Sequence, residues 1–159
     1  MSPDQQMLNS APVLLRLRII WAALVLGVVT FGAFVGLLVA AGGLPGAGHH
    51  AAPADMLTLI AVAMLVMMIP AGLFARNQFY KKNWRANVVT PSGYFTGNLL
   101  LLAMLEGVAM FSIVATLIIG AFGWAILPGV IALALLLVNF PTGRPMQPAE
   151  NPYESPPPR

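Results

Sequence analysis

The chain has 159 residues, of which 58% are hydrophobic and 8% charged, with a formal net charge of +3. A soluble domain carries about 25% charged residues, because each surface helix needs a polar face. This composition excludes a soluble globular core and points to an integral membrane protein, while the absence of cysteine removes disulfides, thiolate metal sites and a thiol nucleophile.

A membrane span needs about 20 largely apolar residues. Residues 1–18 read as a short cytoplasmic N-terminal segment, with Ser10, Ala11 and Pro12 as a helix start and Arg16 and Arg18 just before the first apolar run. That run, residues 19–41, is longer than the roughly 7–15 residues of a signal-peptide core, so it is expected to stay in the mature chain. Gly42, Gly43, Pro45, Gly46 and Gly48 end it. His49 and His50 follow in a loop, where adjacent imidazoles point apart and a metal would lack its further ligands. Asp55 is placed to cap the second span, residues 56–75, and Pro70 to kink it. The methionines there, such as Met64, Met67 and Met68, read as adaptable packing residues.

From Arg76 to Gly97 a long basic loop is expected, in which Lys81, Lys82, Trp84 and Arg85 contact the lipid surface. The third span covers residues 98–122, interrupted by one ionisable residue, Glu106. The fourth, residues 124–140, is close to the lower limit and has Pro128 in its first turn. Residues 141–159 form a Pro-rich polar tail expected to be disordered or extended. The expected fold is an all-α membrane domain of four transmembrane helices over residues 19–140, built as two antiparallel hairpins.

All eight Lys and Arg residues fall on one side of this plan: Arg16, Arg18, Arg76, Lys81, Lys82, Arg85, Arg144 and Arg159. The positive-inside rule then places both termini and the middle loop in the cytoplasm, in the inner membrane of the cell. Trp21, Trp84, Trp124, Tyr80 and Tyr94 sit near span ends and are expected to form an aromatic belt. Basic residues that flank spans do not form the continuous face that nucleic acid requires, so the lipid bilayer is the expected partner and nucleic acid is not.

An offset of 80 aligns the first span with the third, pairing Ala23 with Ala103, Gly27 with Gly107, Val28 with Val108, Phe31 with Phe111 and Leu37 with Leu117. This suggests a duplicated helical hairpin whose copies run in parallel. Gly32, Gly36 and Ala40 form a stripe of small residues, matched by Ser112, Thr116 and Gly120. Such stripes allow close backbone approach where lipid provides no hydrophobic drive between helices. Gly27, Gly32, Gly36, Gly107, Ser112 and Thr116 are therefore expected helix-packing positions. The alternative use of the stripe is a seam between copies of the chain or with another membrane protein.

Glu106 is the position that asks for a reason. An acidic side chain at mid-helix costs roughly 2.5–3.5 kcal/mol on insertion scales, so a protonated, neutral carboxyl is expected. Thr30, Thr58, Ser112, Thr116 or the backbone freed by Pro70 are the available hydrogen-bond partners. Two roles compete: polar glue between helices, and a group that binds and releases a proton or cation.

The stretch LEGVAMFSIVATLI, residues 105–118, resembles the carboxylate-bearing helix of the proteolipid (c) subunit of rotary ATP synthases. Glu106, Gly107, Ala109, Phe111 and Val114 stand at matching places, and Ala75, Arg76, Asn77 and Gln78 echo that family's polar loop. The resemblance implies Glu106 as a proton or sodium carrier. The general plan also resembles small four-span bacterial membrane proteins with an LEG motif in the third helix. No GxSxG, HExxH, GxGxxG or P-loop pattern occurs, and no second intramembrane acid or base stands ready to work with Glu106. An enzyme and a bound cofactor are not expected.

Overall fold

The computed structural model describes residues 3–42, 51–85 and 88–147. In chain order these form α1 (Pro3–Ala40), α2 (Ala51–Lys82), a two-stranded hairpin of β1 (Trp84–Arg85) and β2 (Val88–Val89), α3 (Pro91–Ile119), α4 (Ile126–Val138) and a 3-10 turn at Arg144–Met146. Three helical segments are long and apolar enough to cross a membrane: Ala11–Ala40, Met56–Lys82 and Pro91–Ile119. The fourth apolar helix is shorter. The chain is a helical protein of membrane-spanning character.

The helix ends differ from several sequence expectations. α1 passes straight through Pro12, which lies inside the helix instead of in its first turn. The ring removes one hydrogen bond, which the long helix on both sides tolerates. α2 begins at Ala51, so Asp55 lies within the helix and does not start it. The expected loop from Arg76 to Gly97 is mostly helix. α2 carries Arg76, Lys81 and Lys82, good helix formers, as far as its last turn. Thr90 caps α3, its hydroxyl accepting from the Gly93 N–H at 3.4 Å, and Pro91 takes the first helical position. The connection is the tight hairpin in which Trp84 faces Val89 and Arg85 faces Val88.

α3 is the axis of the bundle. Of its most apolar window 44% is buried, against 17% for α1 and 11% for α2. α1, α2 and α4 each pack on α3, and α1 and α2, although consecutive, touch each other little. α3 therefore stands between the two helices of the first expected hairpin, while α3 and α4 of the second pack directly on each other. Apolar side chains fill two zones along α3. One gathers Leu17, Leu101, Leu102, Leu105 and Leu136. The other gathers Val28, Val35, Val108, Ile113 and Ala132.

The fourth span is shorter than expected. α4 has 13 residues, which at 1.5 Å each reach about 20 Å, less than the roughly 30 Å of a hydrocarbon core. Gly120 in the left-handed region (φ 70°) ends α3, and the turn through Gly123 delays α4 until Ile126. At the other end Asn139 and Pro141 stop α4 early. The carbonyls exposed there are taken up inside the bundle: Leu136 O accepts from Trp21 Nε1 at 2.8 Å, and Leu135 O from Asn139 Nδ2 at 2.8 Å.

The tail does not leave the bundle at residue 141. Pro141 and Gly143 are buried, and Gly143, at φ 81°, turns the chain so that its N–H donates to Tyr94 Oη at 3.0 Å. Residues 148–159 and the loop with His49 and His50 lie outside the described residues, as do the expectations made for them.

Candidate functional site

Two features stand out: a polar layer at the basic end of the bundle, and Glu106 on the flank of α3.

The polar layer ties all four helices. Asn98 of α3, 6% exposed, donates through Nδ2 to Tyr80 Oη of α2 at 2.6 Å and to Tyr94 O at 2.8 Å. Tyr80 and Tyr94 stack with ring centroids 5.9 Å apart. Arg76 Nη1 donates to Asn139 Oδ1 at 2.9 Å, joining α2 to the end of α4. Its Nε is buried without a partner. On α1, Arg18 Nε donates to Pro141 O at 3.2 Å and its guanidinium lies 5.3 Å from the Phe140 ring centre. Trp21 meets that same ring edge-on at 4.9 Å.

This layer corrects the aromatic belt. Tyr94 is 2% exposed and Trp21 donates across to α4, so both hold helices together instead of anchoring in lipid. Trp84, 55% exposed, and Trp124, 79% exposed, keep the exposure that a belt requires. Sequence reading passed over Asn98 and Asn139. Each is a lone amide at the edge of an apolar run, and that was the available signal.

Close helix approach runs through a different set of glycines from the one expected. A Cβ on Gly32 would sit 3.4 Å from Ile113 Cδ1, so Gly32 does face α3, and one on Gly36 would sit 3.8 Å from Phe122 Cζ. Gly27 and Gly107 have nothing within 4 Å and pack against no helix. The tight contacts are elsewhere. A Cβ on Gly72 would come within 2.9 Å of Leu101 Cδ1, and one on Gly97 within 3.3 Å of Arg76 O. One on Gly129 would fall 2.8 Å from Ser112 Cβ. Ser112 and Thr116 are fully buried, but Ser112 faces α4 instead of the stripe on α1.

Glu106 lies 15 residues into the 29 of α3, about 22 Å from the helix start. It is half-buried, and its flank includes exposed Ala103 and Gly107. Ile113, which meets Gly32 of α1, is seven residues further on, two turns up nearly the same side. Glu106 therefore stands at the edge of the α1–α3 seam. Among the described residues no hydrogen bond or ion pair reaches its carboxyl. The hydroxyls expected as its partners on α1 and α3 are engaged or turned away. Thr30 donates to Leu26 O of its own helix at 2.7 Å, Thr116 to Ser112 O at 2.9 Å, and the Ser112 hydroxyl is buried beside α4 with no partner.

Lys81, Lys82 and Trp84 are exposed at the basic end, next to β1 with Arg85. Arg16, Arg18 and Arg144 are exposed there too, as the Arg18 and Gly143 contacts with the end of α4 and with Tyr94 show.

No protein-family model, curated protein or solved structure matches this chain, so its functional reading stands on its own geometry.

Proposed function

We propose that this chain is a structural or accessory multipass protein of the cell's inner membrane, and that Glu106 is protonated polar glue for a helix outside the chain. The carrying observation is the Glu106 carboxyl itself: mid-helix, half-buried and without a hydrogen bond to any of the chain's own described helices. A neutral carboxyl in that position has one donor and acceptor capacity to spare. In hydrocarbon its best partner is a polar group on a neighbouring protein helix, either from a second copy or from another membrane protein. The open Cβ space at Gly107 lets such a helix approach.

Collection of the basic residues at one end of the bundle supports cytoplasmic placement of that end, of both termini and of the β1–β2 hairpin. Val28 and Val108, paired by the offset of 80, are both buried in one core zone, which supports a duplicated hairpin; the 13 residues of α4 against 32 for α2 make the second copy a shortened one.

A second reading has its own observation. A carboxyl on a lipid-facing flank beside a glycine, as Glu106 is beside Gly107, matches the proteolipid resemblance and suits a proton- or sodium-binding subunit.

Two substitutions separate the readings. Glu106→Gln keeps hydrogen bonding and loses titration; Glu106→Leu loses both. If Gln preserves association in crosslinked membranes and Leu abolishes it, the carboxyl is glue. Carbodiimide labelling of Glu106 that falls as pH rises, or is blocked by sodium, supports the ion-binding reading and refutes the glue. Association unchanged by Leu, with no labelling at any pH, refutes both.

A further inference from the structure

We infer that the outer face of α2 at the basic end is a binding site for one anionic glycerophospholipid. The site rests on the membrane reading above. Gln78 and Lys82 are exposed, stand one helical turn apart and, with Phe79, line a shallow open pocket. The lysine ammonium supplies three donors and the glutamine amide two more, a set suited to a phosphodiester. Lys82 makes no ion pair among the described residues, so its charge is not already neutralised.

Beneath the pocket the same face turns apolar and shallow. Ala75 and Ala71 continue it at helical spacing toward the middle of the span, and Phe74, 65% exposed, stands beside them. Two methyl side chains next to an aromatic ring offer low apolar surface on which an acyl chain can lie. A phosphate at Lys82 and Gln78 then lies one to two turns above a tail on Ala75 and Ala71, the order in which a phospholipid carries them. A soluble phosphate would use the upper half of this face and leave the lower half without purpose.

Lys82 is the one cation that lines the pocket, and the net charge of this end of the bundle adds to its pull on an anionic headgroup. Arg16, Arg18, Arg76, Lys81 and Arg144 are at the same end and are not ion-paired among the described residues. This surplus favours a lipid with net negative charge and disfavours the ammonium of a zwitterionic one.

The test uses the full chain in detergent, observed by native mass spectrometry with added dioleoylphosphatidylglycerol or dioleoylphosphatidylcholine. The wild type is expected to retain one phosphatidylglycerol in preference to phosphatidylcholine. Lys82→Gln should weaken that retention about fivefold, the weight of one cation near an anionic surface. Lys81→Gln changes the charge equally but lies about 100° round the helix, and should change retention little. Equal retention of the two lipids by the wild type overturns the site, and that comparison needs no variant to fold. Equal losses in Lys81→Gln and Lys82→Gln overturn it as well, by showing a diffuse charge effect. Displacement of the lipid by millimolar inorganic phosphate would identify a soluble anion as the ligand and overturn the lipid source. Carbonate extraction of wild-type membranes reads the membrane assignment separately: release of the chain removes that assignment, whereas a retained chain without lipid preference removes this site alone.

Discussion

Alanine at Gly129 is expected to destabilise the bundle even though alanine is the better helix former. The added carbon falls 2.8 Å from Ser112 Cβ, 3.4 Å from Ala109 O and 3.5 Å from Ser112 Oγ. The first two atoms are fixed by the backbone of α3 and cannot rotate away, so α4 and α3 must separate along a contact that buries Ser112, Ala109 and Ala132. Overpacking of this kind costs roughly 1–3 kcal/mol, and replacing glycine inside a helix returns up to about 1 kcal/mol. The net expectation is a loss of up to about 2 kcal/mol. Gly107→Ala and Gly27→Ala are the controls: nothing lies within 4 Å of either, so each should be neutral or stabilising. Ser112→Gly removes the opposing Cβ, and in that background Gly129→Ala should recover most of its loss. The assay is thermal unfolding of the full chain in detergent, followed by circular dichroism, with the two sites treated as a double-mutant cycle. Equal melting of Gly129→Ala and Gly107→Ala, or additive effects at 112 and 129, would refute the reasoning.

Ser112→Ala is expected to stabilise by about 1 kcal/mol, because the buried hydroxyl has no partner and its removal relieves a desolvation cost; unfolding in detergent reads it, and a loss of stability would reveal a bond the hydroxyl makes in the membrane. Asn98→Leu leaves Tyr80 Oη and Tyr94 O without their shared donor and should cost about 1–3 kcal/mol, with limited proteolysis near the β1–β2 hairpin rising in step. Trp21→Phe keeps the ring contact with Phe140 but removes the donor to Leu136 O, and should lower stability by about 1 kcal/mol in the same melts. A reporter active only in the cytoplasm should work when fused after Arg159, and activity of a periplasmic reporter at that position would contradict the orientation.

The candidate residues divide by how far their surroundings could be foreseen. Glu106 was visible because a single carboxyl in a 25-residue apolar run, residues 98–122, has no competitor for attention. Its lack of a partner among the described residues was not visible, because hydroxyls at Thr30, Ser112 and Thr116 look equally available until their directions around each helix are known. Tyr80 and Tyr94 read as interfacial anchors because aromatic residues near span ends commonly are. Their stacking, and the amide of Asn98 between them, depend on α2 and α3 crossing at Gly97 and Gly72.

Composition and the spacing of apolar runs were enough to determine the class: long helices of membrane-spanning character, with the described basic residues gathered at one end. Those properties are set along the chain, since hydrophobic length and flanking charge act on each segment separately. Which helix lies at the centre, which glycines face a neighbour and where α4 stops were decided only by the packed bundle. In lipid the apolar surface of every helix is equally at ease, so hydrophobicity does not say which face turns inward. That choice falls to close backbone approach at Gly72, Gly97 and Gly129 and to the few polar side chains that must find partners, and both are properties of pairs of helices.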